Sequence, residues 1–333
     1  MTRITYYFVF LTLIFVGCTK EIPEVENKSL IKVVDDLGIT YHSDISPRKI
    51  VSLAPNLTEM VYELGLDSIL IGNTKYCNYP EDAIKKEKIG DLLTVDYEKI
   101  IKLKPDLIFI TVEGNAKESY DKLEKLGFQL FVSNPRDFNG IKKTFRDISK
   151  IFRIEKIAEN KIQLWDEVIE NVKGETLNRN TSAKGIHSET GLSADEAGSV
   201  QRKLRGMFLV SLKPVMLAGG NTFVNEFLKI VGIENIASDS KVSYPLFSRE
   251  EILTRNPEII IHAISNDGIN SEIANNYPEW KKIDGVKNKN IIKVDPDLFF
   301  RPGPRYPVAV QTLWNKVKNK VPKVKNKVPK VKS

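Results

Sequence analysis

Two arginines near the C-terminus, in the run Phe300-Arg301-Pro302-Gly303-Pro304-Arg305, are the strongest candidate anion donors of the chain. A guanidinium there would suit a carboxylate better than a neutral amide. A second cluster, Tyr76-Cys77-Asn78-Tyr79-Pro80, offers flat aromatic faces beside an amide. Pro55, Asn56, Glu113, Asn115, Asn221 and Tyr244 stand in other short connecting stretches. Aromatic faces cover a planar ligand and asparagine amides hydrogen-bond its periphery, although each ring would serve equally in ordinary core packing. Catalytic chemistry is not in view. No Ser/His/Asp or Cys/His set can be assembled, and His42, His187 and His262 are scattered without the carboxylate spacing of a zinc site. Gly219-Gly220-Asn221 lacks the full dinucleotide fingerprint, and no GxxxxGK phosphate loop occurs. The chain reads as a binder rather than an enzyme, with no metal or cofactor of its own.

The elements that must position these residues alternate. Leu30–Val34 and Ile39–Tyr41 read as strands about a turn at Asp35-Asp36-Leu37-Gly38. Lys49–Leu53 is a buried-type strand, Pro55-Asn56-Leu57-Thr58 turns it into a helix capped by Thr58, and Gly65 ends that helix. Strand Ile69–Gly72, helix Tyr97–Leu103, strand Leu107–Thr111, helix Ala116–Leu126 and strand Gln129–Val132 follow. Such alternation predicts a parallel sheet with helices on both faces, with ligands beyond the carboxyl ends of its strands. The residues singled out above fall at those ends.

Apolar residues then recur at helical spacing through Gly140–Lys173, with a break at Phe152-Arg153-Ile154 and a long helix from Glu155 to Lys173. Beyond it the landmarks repeat. Val51-Ser52-Leu53-Ala54-Pro55 is echoed by Val210-Ser211-Leu212-Lys213-Pro214, and Glu59 precedes Gly65 as Glu226 precedes Gly232. Tyr97-Glu98-Lys99-Ile100 through Pro105-Asp106-Leu107-Ile108 runs in step with Arg249-Glu250-Glu251-Ile252 through Pro257-Glu258-Ile259-Ile260. Two lobes of like α/β architecture, each Rossmann-like, are therefore expected on either side of one long helix, with a ligand cleft between them.

These landmarks resemble the substrate-binding proteins of bacterial ABC importers that carry a rigid helical backbone between lobes, whose members bind cobalamin, haem or ferric siderophores. The resemblance covers about residues 30–317, apart from 174–205, and rests on Pro47–Pro55 with Thr58-Glu59, on Leu103–Ile108 and on Ala218-Gly219-Gly220-Asn221-Thr222-Phe223. The Tyr76–Pro80 loop and Arg301–Arg305 are most similar to cobalamin-binding members. The resemblance implies capture of a corrinoid, or alternatively of haem or a ferric siderophore, in the interlobe cleft for delivery to a permease dimer. Pro55, Asn56, Tyr76, Tyr79, Glu113, Asn221, Tyr244, Phe300, Arg301 and Arg305 are the implied ligand contacts. Glu98 and Glu250, one acid per lobe, match residues that meet arginines on a two-fold permease. As acids near helix starts they would equally serve the helix dipole, and Ser248 with Glu251 forms a capping box that leaves Glu250 to project.

The ends of the chain carry other signals. Arg3 and the apolar run Ile4–Val16 lead to Phe15-Val16-Gly17-Cys18, similar to a lipobox, which implies cleavage before Cys18 and lipid on it. With Cys18 lipidated, Cys77 has no partner for a disulfide. The chain of 333 residues has net charge +7, but Lys316–Ser333 holds eight lysines and no acid. Without that tail 42 basic residues face 43 acidic ones, so the body is not a nucleic-acid binder. The tail repeats VKNKVPK, as Val317–Lys323 and Val324–Lys330, and reads as a solvated extension with a weak attraction to anionic lipid. The expected order is signal peptide 1–17, tether 18–29, N-terminal lobe 30–150, backbone helix 151–173, flexible insertion 174–205, C-terminal lobe 206–315 and Lys-rich tail 316–333. The product is an exported, membrane-anchored monomer.

Overall fold

A computed structural model describes residues 30–182, 203–264, 269–318 and 320. The expected signal peptide, Cys18, the tether, most of the insertion and the end of the tail lie outside these residues. The N-terminal lobe begins with a hairpin of β1 (Ile31–Val34) and β2 (Thr40–Ser43). It continues through β3 (Ile50–Ser52), α1 (Pro55–Glu63), β4 (Leu70–Asn73), β5 (Glu87–Lys88), α2 (Tyr97–Leu103), β6 (Leu107–Thr111), α3 (Lys117–Lys125), β7 (Leu130–Ser133) and α4 (Phe138–Ile151). Helix α5 (Glu155–Ser182) leads to the C-terminal lobe. There follow β8 (Leu204–Leu212), β9 (Val215–Leu217), α6 (Phe223–Ile230), β10 (Ile233–Asn235), α7 (Arg249–Arg255), β11 (Ile259–His262), α8 (Ile269–Asn276), α9 (Asp284–Lys287), β12 (Ile291–Lys293), α10 (Pro296–Phe299) and α11 (Tyr306–Lys318).

Among the described residues the first lobe is a parallel sheet in the order β5-β4-β3-β6-β7. The second has β10-β8-β11-β12 in parallel, with β9 antiparallel on β8. Helices cover both faces, so the middle strands lie in apolar surroundings on each side. That is why β6 reads Leu-Ile-Phe-Ile-Thr and β11 reads Ile-Ile-Ile-His, buried throughout.

The repeat seen in the sequence has a structural cause. Helices α2 and α7 both end on a left-handed residue, Lys104 (φ 50°) and Asn256 (φ 40°), which turns the chain into a proline and an acid. Asp106 then accepts the backbone N–H groups of Arg48 and Lys49 at 2.7 and 2.9 Å. Glu258 accepts that of Arg205 at 3.1 Å. Each acid thus ties the entry of its lobe's central strand, β3 or β8. The other echo is only partial. Pro55 opens α1, whereas Pro214 sits between β8 and β9, and the second lobe's helix begins later, at Phe223.

Three boundaries, of helices α1 and α5 and strand β8, differ most from the sequence expectation. Helix α1 starts at Pro55, not after a Thr58 cap, because proline at the first helical position is pre-set for the helix. Thr58 is buried inside it, with its hydroxyl in hydrogen-bond contact with the Ser52 hydroxyl and the Cys77 thiol. Helix α5 does not stop at Lys173 but continues to Ser182, because Val172 and Thr176 still bury against α11 and Glu175 accepts the Trp314 indole N–H. Strand β8 already begins at Leu204, within the stretch read as insertion.

One apolar cluster runs through the whole molecule, from Phe109 and Phe145 past Trp165 on α5 to Phe208, Phe227 and Tyr306. Helices α4 and α5 form an antiparallel hairpin, with Phe145 against Trp165 at 4.6 Å and Lys142 paired to Asp166 at 2.7 Å. A shared core of this kind makes the backbone between lobes stiff.

Candidate functional site

The two lobes meet where α1, α4, α6 and α11 begin. Glu59, one turn into α1, is only 2% exposed. Arg305 binds it in a fork, Nε to Oε2 at 2.8 Å and Nη2 to Oε1 at 2.6 Å, and Arg301 Nη1 adds a contact at 3.2 Å. Arg301 also donates to Asn78 Oδ1 at 2.8 Å and to the Tyr76 carbonyl at 3.2 Å, and pairs with Asp297 at 2.7 Å. Burial presses the pKa of Arg305 down, and the hydrogen bonds and charge of Glu59 more than reverse this, so it rests above the ordinary arginine value. Arg305 lies 4.2 Å over the Tyr79 ring.

On the other side of the pseudo-two-fold stands Glu226 of α6. It accepts the Phe138 N–H at 2.7 Å, at the start of α4, and the Tyr306 hydroxyl at 2.9 Å, at the start of α11. Burial, with that carboxylate beside it, raises the Tyr306 pKa and keeps the phenol neutral. The Phe138 and Tyr306 rings stack at 4.9 Å. Each lobe therefore sends one glutamate from the start of its first helix into the other lobe.

These contacts correct part of the sequence reading. Arg301 and Arg305 are not open anion donors, because Glu59 and Asp297 already hold them. Pro55 and Asn56 are buried, and the Asn56 amide is spent on the Pro302 carbonyl at 3.2 Å. The Asn78 amide bonds Asp297 at 2.8 Å, and the Asn115 amide bonds the Leu53 and Leu92 carbonyls at 3.0 and 3.2 Å. Asn56, Asn78, Arg301 and Arg305 thus join the two lobes, while Asn115 ties loops of its own lobe.

The other expected contacts all keep some exposed surface. Tyr76 and Tyr79 are 47% and 48% exposed. Their loop is held from below by buried Cys77, which contacts the Thr58 and Thr74 hydroxyls. Lys88 Nζ also braces that loop, donating to the Cys77 carbonyl at 3.4 Å besides Asn73 Oδ1 at 2.6 Å and the Ala83 carbonyl at 2.9 Å. From the C-terminal lobe come exposed Asn221, half-buried Phe300 set edge-on to Phe208 at 5.7 Å, and Tyr244. Tyr244 is pushed up to about 12 by burial and by the negative charge of Glu113, with Arg136 acting in the opposite sense. It is a neutral phenol that faces the opposite lobe. Glu113 itself is paired with Arg136.

Arg136 carries no signal of its own in the sequence, where Glu59 and Glu226 stand out only as landmarks. Their matched positions before Gly65 and Gly232 were the available signal. A groove of about 610 Å³ also opens on the flank, between α1, α5 and α11, lined by Tyr62, Trp165 and Val308. Of the expected contacts only Tyr79 and Arg305 reach it, so it is separate from the cleft mouth.

Glu98 and Glu250 are exposed at the starts of α2 and α7. In an α/β lobe those starts lie on the sheet edge where the strands end, which is the cleft edge. Asp96 caps α2 and Ser248 caps α7 through their own side chains. Glu251 turns to Arg255 at 2.8 Å rather than completing a capping box. Neither Glu98 nor Glu250 has an ion-pair partner among the described residues.

The family model described as periplasmic binding protein matches residues 50–298. The chain belongs to the periplasmic binding protein family. As a member of it, the chain is a substrate-binding protein of the ABC-importer class. It is 32% identical over 272 residues, 80% of this chain and 79% of the relative, to an uncharacterised ABC transporter substrate-binding lipoprotein of Bacillus subtilis, YvrC. It is 28% identical over 262 residues, 78% of this chain and 85% of the relative, to a vitamin B12-binding protein of Vibrio campbellii. A solved periplasmic haem-binding protein with two haems shares the two-lobed fold, with a TM-score of 0.69 at 17% identity over 83% of this chain and 99% of that one.

Proposed function

We propose that this binding protein captures a corrinoid of the cobalamin type in the interlobe cleft and passes it to a membrane permease. One observation carries the reading: each guanidinium of the cleft already has a carboxylate, Arg301 and Arg305 through Glu59, and Arg136 through Glu113. A haem or ferric siderophore brings carboxylates or other anionic groups, and would have to displace those acids, which for Glu59, 1% exposed at the side chain, means leaving a buried carboxylate unpaired. A corrinoid periphery is rich in neutral amides and needs aromatic planes and amide partners instead. Tyr76, Tyr79, Tyr244, Phe300 and Asn221 supply these. The vitamin B12-binding relative agrees with this choice.

Titration with cyanocobalamin, haemin and a ferric siderophore tests it, read by absorbance and melting temperature. Cyanocobalamin should bind and, at a hundredfold excess over Kd, stabilise the fold by about 2.7 kcal/mol. Tighter binding of haemin would favour the haem reading, which the fold also admits.

Delivery needs a partner and a place. The Cys18 signal and the lipoprotein relative support a lipid anchor on an exported protein. Glu98 and Glu250 are proposed as the acids that meet a two-fold permease dimer, one from each lobe. Replacing either by Ala should leave the fold and ligand affinity nearly unchanged, because exposed acids contribute about 0–1 kcal/mol. Uptake should fall, more in the double variant, and further with Lys at either position. Loss of ligand binding with permease association intact would move these residues out of the docking role.

A further inference from the structure

The lysines that crowd the tail continue onto the folded surface. In the C-terminal lobe the strands begin, and α6 and α11 finish, at the end far from the cleft. Lys203, Lys229, Lys287, Lys289, Lys316 and Lys320 are exposed at that end and have no carboxylate partner among the described residues. The C-terminal part of α11 is fastened to β12 and to the turn before it, with Lys316 Nζ on the carbonyl of Lys293, the last residue of β12, at 2.6 Å and Lys320 Nζ on the Lys289 carbonyl at 3.2 Å. The acids of the same end are mostly engaged. Glu258 holds the Arg205 N–H, Asp284 accepts the Asn256 amide at 3.0 Å, and Glu175 accepts the Trp314 indole and stands 3.8 Å from Lys318. Glu234 is exposed without such a contact. Beyond Lys320 the sequence adds five more lysines and no acid.

We propose that this far end of the C-terminal lobe is an electrostatic contact for an anionic lipid surface. Ammonium groups on flexible stems suit a plane of phosphate headgroups, where no fixed bidentate geometry is needed. None of these lysines is interleaved with an exposed aromatic ring, as a single nucleic-acid strand would require. The position matters as much as the charge. Leu30 enters β1 at the far end of the other lobe, where Arg153 Nη2 reaches the Asp44 carbonyl at 3.2 Å. A chain tethered through its N-terminus would then touch the bilayer at both ends of its long axis, with α5 spanning between them. The contact rests on the charge of that end and is independent of the ligand.

The test is vesicle co-flotation of the full chain carrying Cys18→Ser, so that no acyl chain contributes. Vesicles of phosphatidylcholine alone are compared with vesicles containing phosphatidylglycerol. Binding should appear only with the anionic lipid and fade as salt is raised past the point where the Debye length falls below about 8 Å. A variant with Lys287→Gln, Lys289→Gln, Lys316→Gln and Lys320→Gln, tail intact, should lose at least about tenfold in affinity. A chain ended after Lys320 should keep its preference for the anionic vesicles. Unchanged binding by the glutamine variant, or complete loss on removing the tail, would overturn the proposal. So would equal binding of inorganic polyphosphate at matched phosphate. If the glutamine variant fails to show the parent's melting curve, the salt dependence and the shortened chain decide the matter.

Discussion

Glu59→Ala should lower stability by about 3–5 kcal/mol, because it removes the carboxylate shared by two guanidinium groups at the lobe junction and leaves the half-buried Arg305 with none. Arg301 and Arg305 are 11% and 18% exposed at the side chain, against 1% for Glu59, so water can replace little of what is lost. Arg301 would keep Asp297, Asn78 and the Tyr76 carbonyl, and Arg305 only the Asp297 carbonyl. The deficit should therefore centre on Arg305. A urea titration measures it, with an unchanged slope if the effect lies in the native state. The same change carries a specificity consequence. With its carboxylate gone, the cleft floor presents uncompensated positive charge, so haemin should gain affinity relative to cyanocobalamin. A midpoint shift worth under about 1 kcal/mol would show that the arginines are solvated or re-paired, and that Glu59 is not what holds them.

The architecture was legible because its signals are local. Apolar runs such as Leu107–Thr111 and Ile259–Ile261 need burial on both faces, and the repeated Pro-acid step marks a left-handed cap followed by a strand in each lobe. The positions of the loops that carry Tyr76, Tyr79 and Tyr244 are legible for a related reason, because the strands that bound them can be read from the sequence. What the chain order does not display is who pairs with whom across the lobes. Arg301 and Arg305 read as anion donors because Glu59 stands far away in the sequence, although its carboxylate lies 2.6 Å from Arg305. Arg136 is silent in the sequence for the same reason, its partner Glu113 being on a separate loop. The sequence places the end of α5 at Lys173 rather than Ser182 because the polar composition after that point resembles a loop. Thr176 and Glu175 instead face α11, a contact visible only once both helices are placed.

Phe227→Ala should be as costly as the loss of Glu59, and should act on both lobes together. Phe227 is fully buried on α6, 4.4 Å from the Tyr306 ring, 5.2 Å from Phe299 and 5.8 Å from Phe223. Tyr306 in turn stacks on Phe138 from the other lobe. Removing a buried phenyl ring costs about 3–5 kcal/mol, the larger values arising where neighbours cannot collapse into the space. Collapse is hindered here, because Tyr306 is also fixed by its hydrogen bond to Glu226. The continuous core through α5 predicts more than the size of the effect: the lobes should unfold in one transition, in the variant as in the parent. Tryptophan fluorescence reports Trp165 and Trp314 in the central core and Trp280 in the outer core of the C-terminal lobe, while far-ultraviolet dichroism reports helices of both lobes. Coincident curves shifted to lower urea are expected. A fluorescence transition that separates from the dichroism would mean that the lobes are independent folding units, and the stiffness attributed to the backbone would then have to come from α5 alone.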